Sequence, residues 1–238
     1  MSIGTFFKPR WRWVTVVVFL GVLFLARLGF WQLDRLEWRR ELNAEKLAGM
    51  NSEPLDLTED LSGFELTEML NRPISAVGEY DFENQFSIES QIFENQVGQY
   101  LLTPLILEGT QTAVLVNRGW IPDTETDFSV FDEPGRIEIV GRIQKGQTLS
   151  GDRVTQIEDN RIYRIDVAAA AEVLPYETLP IYVLPETDEI IDSALPYLPV
   201  ADLSLDEGSH FSYALQWFSF ALMLIVIYGI YVKRQENM

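Results

Sequence analysis

The sequence predicts an α+β membrane protein: two transmembrane helices forming a hairpin that carries a mostly-β extracytoplasmic domain. Three observations lead there. Residues 13–33 and 213–232 are apolar blocks that reach the roughly 20 residues needed to cross a bilayer. Between them, β-branched and aromatic residues recur in short runs separated by turn signals. Charge is unevenly divided: residues 34–211 hold 12 of the 18 basic and 35 of the 36 acidic residues, a net of −23, whereas both tails are basic.

The first block follows a short basic tail, 1–12, containing Lys8, Arg10 and Arg12 and too poor in Ser for a mitochondrial transit peptide. A cleaved signal peptide has an apolar core of about 7–15 residues and a small-residue cleavage site. Here the run continues past Arg27 through "LGFWQL" with no A-x-A pattern, so a retained helix over 13–33 is expected. Leu33, Leu36, Leu47 and Met50 fall on one helical face, which extends the helix over 34–50 until Gly49 and "NSEP" stop it. The second span covers 210–232 and is followed by the tail 233–238. Basic tails face the cytoplasm, and long loops translocate largely regardless of charge. The domain and its return segment, 51–209, therefore belong outside. Arg35, Arg39 and Arg40 run against that orientation, but two spans keep both tails together.

Strands are expected at "PISAVGEY", "QFSIESQIF", "YLLTPLILE", "TAVLVNRGW", "RIEIVGRI" and "PIYVLPE", with turns at "EGTQ" and "EPGR". "DVAAAAEVL" (166–174) is the one internal helix, capped by Asp166 and stopped by Pro175. The acid- and proline-rich 184–209 stretch reads as an irregular return to the membrane.

Composition excludes several functions. A net charge of −18 opposes binding to nucleic acid or adhesion to anionic lipid. Zero cysteines remove disulfides, thiolate metal sites and thiol nucleophiles. A single histidine at a span cannot serve a hydrolase triad in the domain, and G-x-S-x-G, P-loop and G-x-G-x-x-G motifs do not occur. The many carboxylates are explained by a solvated acidic surface. The chain is not expected to be an enzyme.

Three clusters remain. "LGFWQLDRLEWRR" (28–40) closes the first span; Arg27 lies close enough to snorkel outward, and Trp31 is four residues from both Arg27 and Arg35, the spacing for stacking on one face. "VLVNRGWIP" (114–122) is a strand whose Gly119 and Pro122 imply a tight exit near Arg118 and Trp120. "HFSYALQWF" (210–218) puts His210, Tyr213, Trp217 and Phe220 on one helical face with Gln216 at its flank, a face expected to meet the first span. Imidazole is an axial ligand for haem iron. Composition alone favours plainer readings: aromatic belts with anchoring arginines at the two spans, and a structural turn at the strand end.

Taken together, the three clusters resemble the Surfeit-locus family of cytochrome c oxidase assembly factors. That family shows G-x-W-Q-x-x-R (here Gly29, Trp31, Gln32, Arg35), V-x-R-G-W-[IV]-P (Val116, Arg118, Gly119, Trp120, Ile121, Pro122) and H-x-x-Y-A-x-x-W-[FY] (His210, Tyr213, Ala214, Trp217, Phe218). "AVGEYD" (76–81) and "VGRIQKGQ" (140–147) resemble two further stretches of it, and the likeness spans about 24–233. The acidic 122–135 and 184–209 stretches depart from it.

The resemblance implies a bacterial plasma-membrane protein with both termini cytoplasmic and the domain outside. Such a protein aids insertion of haem a into the large catalytic subunit of cytochrome c oxidase. His210 is the implied iron contact, with Tyr213 and Trp217 beside the porphyrin. Arg35 and Arg118 are the candidates for its propionates. Haem a synthase is a possible partner, membrane lipid is another, and nucleic acid is not. The alternative is a non-haem scaffold that stabilises an early oxidase subunit intermediate. A two-span sensor fits less well, because the tails leave no room for an output module.

Overall fold

Helix α1 (Arg12–Met50) runs for 39 residues in the computed structural model. No proline interrupts its backbone ladder. The structure describes residues 3–59, 61, 63–147, 155–186, 195–198 and 204–237. They form two units, Met1–Glu45 with Ser204–Met238, and Lys46–Leu203.

In the first unit α1 pairs with the last helix, which is numbered α3 (His210–Glu236, 27 residues). Both are long and apolar enough to cross a membrane. Their contacts run in opposite order along the two helices. Trp11 meets Tyr231 edge-on at 5.9 Å, Thr15 and Tyr228 share a hydrogen bond of 2.5 Å, and Phe30 meets Phe218 at 5.3 Å. The helices are therefore antiparallel.

The packed face of α3 carries Ala214, Ala221 and Val232, and the buried positions of α1 are Gly29 and Leu36. Small residues let helix backbones approach where lipid offers no hydrophobic contrast. A Cβ on Gly29 would stand 2.6 Å from the Phe218 ring. Gly29→Val is expected to cost the helix pair about 1–3 kcal/mol, the usual cost of overpacking a close contact. A lowered thermal midpoint of the detergent-solubilised protein would register it, and an unchanged midpoint would count against this contact.

The extension expected over 34–50 is helical to Met50; on its stripe Leu36 is buried and Leu47 is 43% exposed. The face that α1 uses is Gly29, Gln32, Leu36, Arg40 and Asn43, steps of three and four residues that stay on one side of a helix. One expectation needs correction here. On α3, Tyr213 and Phe220 are 48% and 40% exposed, and the contact is made by Ala214, Phe218 and Ala221 instead. The face read from the sequence lies to one side of the true one because bulk and polarity, not small size, were taken as the sign of contact.

The second unit is built on a mixed sheet. Its strands are β1 (Leu55–Asp56), β2 (Pro73–Tyr80), β3 (Phe86–Phe93), β4 (Gln96–Leu107), β5 (Thr112–Pro122), β6 (Arg136–Gln144), β7 (Arg161–Ile162) and β8 (Glu177–Pro185). The order is β1-β2-β6-β8-β5-β4-β3-β7, and β2 pairs a second time, with β4, through Gly78 opposite Leu107 and Tyr80 opposite Leu105. That pairing closes β2, β6, β8, β5 and β4 into a five-stranded barrel. Alternate residues fill it: Ile74 and Ala76, Leu105 and Leu107, Val114 and Val116, Ile181 and Val183 form one buried cluster with Ile143.

A second cluster lies on the other face of β4 and β5 and on β3. Phe86, Ile88, Leu102 and Leu115 pack there against Ile162 and against Val167 and Ala170 of α2 (Val167–Val173). Strand β5 is thus buried on both faces, which is why its "AVLV" run (113–116) is continuously apolar and does not alternate. Asp166 caps α2, its Oδ1 accepting from the Ala169 N–H at 3.2 Å. Pro180 falls where the β5–β8 register shifts between Ala113 and Leu115, so its missing N–H leaves no ladder bond unmade. Of the 184–209 stretch expected to return irregularly, 187–194 and 199–203 lie outside the described residues.

Candidate functional site

His210 is the first residue of α3, and three α1 side chains define its surroundings. Arg40 makes a two-pronged pair with Glu207, both N–O distances being 2.9 Å. Its hydrogen bonds and charge hold the Glu207 carboxyl below, and the guanidinium above, their ordinary values. Asn43 donates to the Leu205 carbonyl at 2.8 Å. The Gly208 N–H donates to Asp206 Oδ1 at 2.9 Å, turning the chain into the helix. Gln32, finally, meets the imidazole itself: Oε1 lies 2.9 Å from His210 Nδ1.

That contact sets the chemistry of the ring. An amide oxygen only accepts, so Nδ1–H is the donor in this contact, and in the neutral ring that leaves the lone pair on Nε2. The second-nitrogen partner of a metal-ligating histidine orients the ring in this way. Gly208 puts no side chain against the Nε2 edge, where an added Cβ would sit 3.5 Å from Nε2. Outside the pair interface, Trp217 meets Phe220 edge-on at 6.0 Å, and Tyr213 stands exposed one turn from His210. The donor set suits a haem: an imidazole whose Nδ1 is already engaged, flanking aromatic surface, and an arginine with open donors. That arginine is Arg35, which is exposed and stacks on Trp38 at 3.8 Å. The expected partner, Trp31, is replaced by the residue three positions C-terminal to Arg35.

The "RGWIP" cluster belongs to the barrel unit, where it is absorbed by architecture. Arg118 is the extra residue of a bulge, since Leu101 pairs with Gly119 while Leu102 pairs with Asn117. Gly119 takes φ +122°, and a Cβ there would lie 2.8 Å from Pro196. The Arg118 side chain is buried against the adjoining rings of Tyr80 and Phe82, at 4.9 and 5.0 Å. It donates to Gln85 Oε1 at 3.1 Å and to the Phe131 carbonyl, with Asp132 and Glu133 beside it. Burial raises the Tyr80 phenol well above its ordinary value. Trp120 is 2% exposed, donates from Nε1 to the Gln91 carbonyl at 3.2 Å, and exchanges backbone hydrogen bonds of 2.8 Å with Tyr197. The sequence placed Arg118 among ligand-facing groups; its guanidinium is engaged inside its own unit. Pro122 ends β5 there.

Comparison with known proteins settles the family. The SURF1 family model matches residues 19–222. The chain belongs to the SURF1 family. Similar proteins include a SURF1-like protein of Rickettsia prowazekii (strain Madrid E), 27% identical over 226 residues, which are 92% of this chain and 89% of that protein. A SURF1-like protein of Caenorhabditis elegans is 25% identical over 247 residues, covering 92% and 74%. The Surfeit locus protein 1 of Gallus gallus is 26% identical over 215 residues, covering 80% and 66%. The resemblance carried by the three motifs is thereby shown, and with it membership of a family of oxidase assembly factors.

Within this SURF1 family chain the structure joins the first and third motifs in one unit, through Gln32 and His210 and through Gly29 and Phe218. Sequence reasoning quoted Gln32 but gave it no role, and it passed over Glu207, Gly208 and Asn43. A signal existed for Gln32, a lone amide facing inward near the end of an apolar run. Polar residues in such runs usually have a partner.

Proposed function

We propose that this chain is a membrane assembly factor for haem–copper cytochrome c oxidase, which takes haem a at the outer membrane interface and aids its insertion into the large catalytic subunit. The observation that carries the reading is the His210 Nδ1–Gln32 Oε1 contact at 2.9 Å, which in the neutral ring turns the lone pair of Nε2 outward at the start of an apolar helix. In this reading α1 and α3 span a bacterial plasma membrane as an antiparallel hairpin, with both termini cytoplasmic and the barrel outside. Bound haem supplies an iron able to accept a nitrogen donor.

The chain's residues do the rest. His210 offers Nε2, Gln32 fixes the tautomer, Tyr213 and Trp217 give aromatic surface, and Arg35 offers donors to a propionate. Arg118 contributes through the barrel's integrity. Nothing in this role requires the chain to catalyse a reaction. Haem a synthase is the natural donor, and membrane lipid surrounds the apolar faces.

The test uses full-length protein purified from cells that make haem a. His210→Ala is expected to lower bound haem at least tenfold, and Gln32→Leu to retain haem with a shifted absorption band and faster loss. An unchanged haem content and spectrum in His210→Ala would remove the ligand role. Wild-type protein that carries no haem under these conditions would favour a scaffold that stabilises an early subunit intermediate.

A further inference from the structure

We propose that the barrel unit binds a small organic monocarboxylate in a cavity on the outer face of β3, β4, β5 and β8. The cavity holds about 240 Å³. Its floor is a row across four neighbouring strands, Ile88, Tyr100, Asn117 and Tyr182, and its rim is the segment 163–165 with Gln147. The Gln147 N–H donates to the Ile165 carbonyl at 2.7 Å and ties the two rim segments together.

The lining is rich in donors without protein partners. Asn117 is 3% exposed and its Oδ1 accepts from the Gly119 N–H at 3.1 Å. Among the described residues no sealed side-chain nitrogen or oxygen lacks a hydrogen bond, so Asn117 Nδ2 opens onto the cavity. The hydroxyls of Tyr100 and Tyr182 lie close enough to influence each other, and neither makes a hydrogen bond with a described residue. Burial raises both phenols above their ordinary value, so they remain protonated donors at neutral pH. Arg164 is half-buried and makes no ion pair with a described residue.

Charge then selects the ligand. The chain has twice as many acidic as basic residues, 36 to 18, yet none of the ten residues lining this cavity is Asp or Glu. One guanidinium with neutral donors around it matches one carboxylate. A dianion such as phosphate would want a second cation. Ile88, Ile165, Leu184 and the tyrosine rings offer an apolar wall for a carbon body. The volume lies below the ~300–1,000 Å³ of drug-sized sites, which admits a single ring and excludes a porphyrin.

Benzoate is the probe. Full-length protein in lipid nanodiscs, with ¹³C-labelled tyrosine rings, is titrated with benzoate, benzyl alcohol and inorganic phosphate. Benzoate is expected to shift Tyr100 and Tyr182 saturably with a dissociation constant below about 1 mM, a reasonable limit for so small a ligand. Benzyl alcohol should bind at least tenfold more weakly. Arg164→Gln should weaken benzoate at least tenfold at an unchanged thermal midpoint. The exposed Tyr163→Phe should weaken it about threefold, and it serves if the first variant fails to fold. No saturable shift, equal affinity for benzyl alcohol, tighter phosphate binding, or affinity unaltered in both variants would each overturn the assignment.

Discussion

Trp120→Ala is expected to destabilise the barrel unit by about 3–5 kcal/mol, the range for removing a fully buried tryptophan. The indole touches partners from three directions. Its centroid lies 5.5 Å from Phe93 and 6.0 Å from Tyr197, stacked at 12°, and Nε1 is bound to the Gln91 carbonyl. The backbone of Trp120 also holds Tyr197 in a two-bond bridge. Removing the ring opens a cavity and unseats that segment together. Far-UV circular dichroism during heating should show a midpoint lower by about 10 °C, at 2–4 °C per kcal/mol for a chain of this size. Amide exchange at Tyr197 should accelerate in step. Trp120→Phe keeps the stack and loses the Nε1 bond, so it should cost less. A midpoint within 2 °C of wild type for Trp120→Ala would refute this account.

Arg118→Met should cost the same unit about 2–3 kcal/mol. That is below the ~3–5 kcal/mol for breaking a fully buried pair, because Asp132 and Glu133, at 28% and 70% side-chain exposure, can rehydrate. The Phe131 carbonyl loses its donor, and the guanidinium's contacts with Tyr80 and Phe82 go. Gln85 Oε1 keeps its hydrogen bond from Thr103 at 2.6 Å, which limits the loss. Arg118→Lys retains a charge without the planar fork and should fall between. Urea midpoints of the three proteins check the order. A variant as stable as wild type would return Arg118 to the group of residues kept for ligand contact.

Much of the barrel was legible because its strands are long and locally patterned. "PISAVGEY" coincides with β2 and "RIEIVGRI" with all but the last residue of β6. The two-residue strands β1 and β7 carry no period at all, and the parallel partner of β7 lies far away in sequence, Ser87 opposite Arg161. Closure of the barrel is likewise non-local, since the edge of β2 opposite β6 passes from β1 at Ile74–Ser75 to β4 at Gly78–Tyr80. The lip of α3 was half legible. His210 stood out as the lone imidazole, but the partner on its other nitrogen is 178 positions away. The carboxylate cavity left no linear trace, because Tyr100, Asn117, Arg164 and Tyr182 sit on separate segments.

The partner of His210 is an amide, and that choice bears on how long anything stays on the ring. A carboxylate at Nδ1 would draw the proton toward itself and make Nε2 a stronger base. An amide carbonyl polarises the ring less, and it carries no charge that pH could change. A ligand on such a nitrogen should have a short residence time, and its exchange rate should stay level across the range where carboxylates titrate. Gln32→Glu would convert this grip into a slower, pH-dependent one.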